Sequence, residues 1–342
     1  MSPVSLGRAG VTPCPGPATV LYAGAMRHVS ALLLSAALLL PFHPADACLW
    51  DNDTLQEESL NHRDVADVVR GRIFKHSPAF YEKKLAYTLP MLERPDVRPE
   101  RFDDVAVAYE KLGRIPEALA TMEAKEKRFP GLYTTQANVG TFHAHAGDFP
   151  RALEHLRRAI AINPDAHFGR EKYQVRAIEY LMRLKEDPTL VQKEEFLGLP
   201  IDAGRAAFVL SEKRRANPGE RPELPKDVLE GLVGMIRFGS GEKSPHLWFS
   251  LGNALAWHGH KHLALRALRQ AELHGHSLAA DHAAGLMRVV RKYNPDGEDL
   301  TWKGVCVELD AEWKQGQAWV AREQRKEDAL LAKGKQKQVF GY

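Results

Sequence analysis

The chain has 342 residues, with 47 Lys and Arg against 44 Asp and Glu, a formal net charge of +3, and 44% hydrophobic residues. That composition can fill a sizeable core and excludes disordered, collagen-like and multi-span membrane classes. Three cysteines cannot build a disulfide scaffold, and a charge balance this near neutral gives no electrostatic case for nucleic acid as a partner.

The N-terminal region reads as an address. Met26, Arg27 and His28 precede an apolar run from Val29 to Leu40, too short to span a bilayer comfortably. Pro41 breaks that run, and Ala45 and Ala47 place small side chains at the −3 and −1 positions of a signal-peptidase site, which puts cleavage after Ala47. Residues 1–47 are thus an N-terminal extension and signal peptide, with Met26 a candidate start, and the mature chain is expected to be periplasmic or extracellular. Cys48 follows the cleavage site, so lipidation would anchor the chain to a membrane. A lipobox, however, has an aliphatic residue where Ala45 stands and no acid where Asp46 stands. Membrane contact is expected only if Cys48 is lipidated. A disulfide between Cys48 and Cys306, or two unpaired thiols with Cys306 buried beside Val305 and Val307, both stay open.

Further along, the chain repeats itself. Ala106, Gly113, Pro116, Ala118 and Pro130 recur 34 positions later as Gly140, Gly147, Pro150, Ala152 and Pro164. Each unit has an apolar helix, a Gly turn, a second helix with alanine at the close approach, and a terminal proline. Phe102, Val105, Ala106 and Tyr109 share one helical face, and Pro116 falls in the first turn of the partner helix, where no amide hydrogen is needed. A later copy runs through Trp248, Leu251, Gly252, Leu255, Gly259, Ala264, Leu268 and Ala271. Such a hairpin cannot bury its face alone, so units must stack.

These residues resemble the tetratricopeptide repeat (TPR), and the resemblance implies an all-α, TPR-like solenoid of helical hairpins with degenerate flanking repeats. The solenoid is expected over 48–320, with clear repeats at 99–132, 133–166 and 245–276, followed by a basic tail at 321–342. Departures are Lys125 at an alanine position, Gln136 at a large-residue position and His276 at a proline position. The flanks predict helices at 80–89, 168–184, 203–213, 228–238 and 278–292, an exposed loop near 216–225, and a final helix or two over 301–333. The strings Cys48 to Thr54, Phe142 to His145 and Asn163 to Tyr173 also resemble a group of exported bacterial tetratricopeptide proteins of uncharacterised function, which implies no activity.

Candidate chemistry is sparse. Gly239 to Ser244 lacks the contiguous Gly-Lys-Ser of a phosphate loop because Glu242 intervenes, and Asp51 to His62 lacks the glycine and the bidentate glutamate of a calcium loop. Seven histidines lie between His246 and His282. His258, His260 and His262 flank the Gly259 turn and form a weak metal alternative, since histidine is the commonest transition-metal ligand, though no thiolate or His-Glu-x-x-His helix accompanies them. His143 stands at an aromatic position and reads as a packed ring.

In TPR solenoids the first helix of each hairpin lines a groove. Carried onto this chain, the resemblance implies a peptide-binding groove with Asn138, Thr141, His145, Phe249, Asn253 and Trp257, while Asp103 and Val107 replace the Lys and Asn that clamp a terminal carboxylate. Phe249 and Trp257 could equally pack against the next helix. The expected function is a non-enzymatic protein- or peptide-binding scaffold of the cell envelope or exterior, with no cofactor. The alternative is an envelope metal-handling protein or enzyme with a site at the His-rich turns.

Overall fold

The computed structural model describes residues 63–164, 169–198, 201, 224–225, 227–239, 241–291 and 301–340, all within the second of two compact units, Ala47–Tyr342. Among the described residues there are thirteen α-helices and no β-strand. They are α1 (Arg63–Val69), α2 (Pro78–Thr88), α3 (Glu100–Lys111), α4 (Ile115–Arg128), α5 (Tyr133–His145), α6 (Phe149–Ile162) and α7 (Arg170–Glu186). Then come α8 (Val228–Phe238), α9 (Pro245–Trp257), α10 (Lys261–Leu273), α11 (Ala279–Arg291), α12 (Trp302–Ala332) and α13 (Gln336–Phe340). The signal segment, Cys48, the Cys48 to Thr54 string and the expected helix at 203–213 lie outside the described residues. None of the described helices is long and apolar enough to cross a membrane.

Three hairpins, α3–α4, α5–α6 and α9–α10, share one turn chemistry. Gly113, Gly147 and Gly259 adopt φ of 75°, 79° and 87°, a left-handed conformation that glycine tolerates without a Cβ penalty. The next amide then bonds back five residues: Arg114 to the Tyr109 carbonyl at 2.8 Å, Asp148 to His143 at 2.9 Å, His260 to Leu255 at 2.9 Å. This closes the carbonyls that a helix C-terminus leaves open. Asp148 and Ser244 cap α6 and α9 by accepting from the Arg151 and Leu247 amides at 3.3 and 3.2 Å.

Small residues set how closely the paired helices approach. A Cβ on Gly140 would stand 2.7 Å from Leu156 Cγ, and one on Gly252 would stand 2.7 Å from Leu268 Cγ. The same two positions in the first hairpin hold Ala106 and Met122, both fully buried. Lys125, at a position that is Ala159 in the second hairpin and Ala271 in the third, is also fully buried. Its ammonium lies 2.6 Å from both Asp103 oxygens and 2.6 Å from the Thr134 hydroxyl, so the departure from the repeat is compensated by a paired charge.

The largest core joins α1 and α7 to α12, with Trp248, Tyr173, Phe249, Leu232 and Ile236 fully buried. Two smaller cores serve α2–α5 and α5–α7. Although α1 comes first among the described helices, Val65, Val68 and Val69 pack in the large core, alongside α8 and α10. The 31-residue α12 then links the two ends. Arg266 and Arg269 of α10 hold Glu312 and Asp310 in forked pairs at 2.6–2.9 Å. Farther along, Gln317 and Gln324 donate to the carbonyls of Gly71 and Lys75 at 2.9 and 2.6 Å, and Asp328 accepts from Ser77 at 2.7 Å. A Cβ on Gly316 would stand 1.9 Å from the Arg70 carbonyl oxygen, so only glycine permits this contact.

Flank predictions compare directly. The helix expected at 228–238 is Val228–Phe238, and that expected at 168–184 is Arg170–Glu186. The final helix expected over 301–333 is α12, Trp302–Ala332, which carries through the 321 boundary drawn for the basic tail, and α13 follows. The reason is tertiary, since the α12 contacts to Gly71, Lys75 and Ser77 order a segment whose basic composition resembles a solvated end.

Candidate functional site

A cleft of about 370 Å³ opens between α3, α5, α7, α8 and α9. Its apolar surface comes from Val107, Phe142, Ile178, Leu181, Met235 and Phe238, among others. Phe238, at the end of α8, is 62% exposed, unusual for a side chain of its size. A cleft of this volume, apolar with a few convergent polar groups, has the character of a ligand site.

One wall carries charge, but the charge is matched internally. His145 Nδ1 lies 2.7 Å from Glu110 Oε1, and the Lys111 ammonium lies 3.0 Å from Glu110 Oε2 while donating to the Phe238 carbonyl at 3.3 Å. Burial pushes the Glu110 carboxyl up, yet the hydrogen bond with His145 and the Lys111 charge outweigh it and hold the group below its ordinary value. Thr141 donates to the Ala137 carbonyl at 2.9 Å and accepts from Gln174 at 3.3 Å. Asn138 donates to Asp103 at 2.9 Å, the carboxylate that also holds Lys125.

Arg170 of α7, 4.0 Å from Glu171, adds a cation to the lining, and the α8–α9 side of it carries no charged side chain. His246 lines the cleft with Tyr180, their rings 5.5 Å apart and edge to face. Behind it His276 stacks on Phe249 at 4.0 Å, with His282 edge to face on Phe249 at 5.0 Å. Burial lowers the His246 pKa, and burial together with His246 and His282 pushes His276 down to about 3. His276 is therefore neutral at physiological pH. Next to Phe196, which lines the cleft, burial with Glu194 alongside pushes the Glu195 carboxyl up to about 8.

Of the six expected groove residues, Asn138, Thr141 and His145 line the cleft together. Phe249, Asn253 and Trp257 do not: they are 0%, 3% and 8% exposed and belong to the interior. Phe249 is held between His276 and His282, and Asn253 donates to the Ile201 carbonyl at 3.2 Å, which His282 also contacts at 2.8 Å. The face that a repeat leaves open is here covered by Ile201, which precedes the hairpin, and by His276 and His282, which follow α10. His143 is a packed ring, 9% exposed and stacked on His155 at 5.8 Å. His258 and His260 lie at the turn with rings 6.4 Å apart, while His262 is buried on α10. Among the described residues no three His, Cys, Asp or Glu side chains are placed to hold a metal ion, so the His258, His260 and His262 alternative is not assembled. Cys306 is a free thiol buried on α12, its pKa pushed up to about 11 chiefly by burial.

Sequence reasoning did not find the cleft residues of α7 and α8, including Gln174, Leu181 and Met235. The available signal was α8, a helix apolar on most sides yet ending in an exposed Phe238. No protein-family model and no curated protein matches the chain.

Proposed function

We propose that the protein is a non-catalytic, TPR-like binding scaffold, exported by the signal segment ending at Ala47, whose cleft takes an apolar stretch of a peptide or protein. The observation that carries this reading is the cleft itself: about 370 Å³, lined by α3, α5 and α9, the first helices of the three recognisable hairpins, and by α7 and α8. Lining by first helices is what the resemblance to TPR solenoids implies. The apolar surface with a polar edge suits recognition of hydrophobic side chains along a peptide. Glu110, Lys111 and His145 are matched to one another, which favours an uncharged ligand over one read through a terminal carboxylate.

The test is selection of random twelve-residue peptides against the full chain, followed by affinity measurement with Leu181→Arg, which places a cation in the cleft. The expected outcome is enrichment of peptides rich in Leu, Phe and Met, with affinity reduced at least about tenfold in the variant while helical circular dichroism is retained. Undiminished binding by Leu181→Arg would remove the cleft from the model.

A further inference from the structure

A second groove, also of about 370 Å³, lies away from the cleft, where α13 meets α2 and the start of α3. Arg94, Arg98, Arg101 and Lys337 line it, with Tyr87 beside them and Asp96 as the single acid. Four cations against one carboxylate repel one another unless something neutralises them.

Of the nearby acids, Glu93 and Glu100 are exposed and do not line the groove, and three others are engaged. Asp96 lies 3.3 Å from Arg94; Asp104 is shared by Lys84 at 2.7 Å and Arg101 at 3.2 Å; Asp103 is held by Lys125 at 2.6 Å. Arg98 and Lys337 make no ion pair among the described residues. The backbone does not offset the charge either. Arg128 of α4 donates to the carbonyls of Leu92, Arg94 and Pro95 at 3.0, 2.8 and 3.2 Å, engaging acceptors of the very loop that carries Arg94 and Arg98. Pro99, the N-cap of α3, supplies no capping side chain, and of the two acids in the first turn of α3, Glu100 and Asp103, the second is held by Lys125.

Lys337 is brought there by tertiary structure. Phe340 packs edge to face on Phe80 at 5.3 Å and against Tyr87 at 5.7 Å, docking α13 on α2. Cations from positions 94 to 101 and from 337 thereby share one concavity. Guanidinium forks match the paired oxygens of a phosphoryl group, and an ammonium adds a point charge.

We propose that this groove is an anion site for a phosphate-bearing ligand, with Arg98 and Lys337 as its principal contacts. The phosphoryl group would come from a small soluble phosphate or from a phospholipid headgroup. The site is independent of the cleft and of its peptide reading.

The experiment titrates the full chain with sodium pyrophosphate by calorimetry. In parallel it measures cosedimentation with phosphatidylcholine vesicles with and without phosphatidylglycerol. Both arms use wild type, Arg98→Ala/Lys337→Ala, and the control Arg151→Ala/Arg158→Ala, which removes the same charge from exposed positions on α6. Circular dichroism confirms that each is folded. The expected result is binding in at least one arm that weakens about tenfold or more in the groove variant and stays within about twofold in the control. Binding of pyrophosphate identifies a soluble ligand, and binding of anionic vesicles alone identifies a headgroup. No binding in either arm, equal losses in both variants, or full binding by the groove variant would each overturn the proposal.

Discussion

The hairpins α5–α6 and α9–α10 are built to one plan and used in opposite ways. Both have a left-handed glycine at the turn, at Gly147 and Gly259, and both have a glycine against a leucine at the crossing, Gly140 on Leu156 and Gly252 on Leu268. In α9 every residue from Leu247 to Trp257 is buried, whereas α5 buries only Thr135, Ala137, Gly140, Phe142 and His143. Gln136, Ala137, Thr141 and His145 of α5 stand where α9 has Trp248, Phe249, Asn253 and Trp257. The turn and the small residues set how two helices meet; the neighbours of the pair decide whether its first helix becomes wall or core.

Truncation at one equivalent position should expose that difference most sharply. Trp248 is fully buried, edges onto Trp313 at 5.9 Å and donates its indole N–H to the Glu242 carbonyl at 2.7 Å. Trp248→Ala is expected to cost about 3–5 kcal/mol in denaturant unfolding, the range for large aromatic truncations in a core. Gln136 is half-buried and bonded to His155 at 2.8 Å, so Gln136→Ala should cost about 1 kcal/mol or less. Similar losses at the two positions would mean that α9 is no more a core helix than α5.

The next test concerns charge in the first hairpin. Lys125→Ala gives α4 the alanine found at Ala159 and Ala271, yet it leaves Asp103 in a largely buried place without its cation. Loss of one partner of a fully buried pair costs about 3–5 kcal/mol. Because the Asp103 side chain is 20% exposed, about 2–3 kcal/mol is expected. Asp103→Ala/Lys125→Ala should recover most of that loss by removing the stranded carboxylate. A double variant as unstable as the single would show that the lysine stem, not the ion pair, fills the site.

These contrasts also explain what could be read from sequence. The hairpins were legible because turns and crossings demand glycine and alanine at set offsets, and helix starts tolerate proline. Asn138, Thr141 and His145, which the resemblance to tetratricopeptide repeats put on a groove, line the cleft. Phe249, Asn253 and Trp257 were misplaced because repeat position says which way a side chain leaves its helix and nothing of what later covers it. Two of the covering groups, His282 and the Ile201 carbonyl, come from segments without repeat character, and the third, His276, stands where the repeat would have its proline. Equally invisible were the docking of α1 in the large core and the return of α12 past Gly71, since Gly316 alone does not name the backbone it admits.

The smallest expected effect separates the two regions by pH. In the α5 region His145 faces a carboxylate, whereas in the α9 region His276 faces rings and other histidines and its Nδ1 accepts from the Leu278 amide at 3.4 Å. Its pKa of about 3 means that between about pH 6.5 and 3 the unfolded chain takes up a proton the folded one refuses, so stability falls as pH falls. Glu195 acts in the reverse sense. With a folded pKa of about 8 against an ordinary 4.5, its contribution is present below 4.5 and is lost as pH rises towards 8. Between about pH 4.5 and 6.5 the two slopes oppose each other, so each substitution should unmask the other. Relative to wild type, His276→Gln should gain stability as pH falls through that window, and Glu195→Gln should gain as pH rises, each by about 1 kcal/mol per pH unit. Loss of the His276 stacking on Phe249 shifts the whole His276→Gln curve without changing its slope, so melting temperatures across the window separate packing from protonation. Parallel curves for wild type and both variants would mean that neither group is held away from its ordinary protonation state by burial in the α9 region.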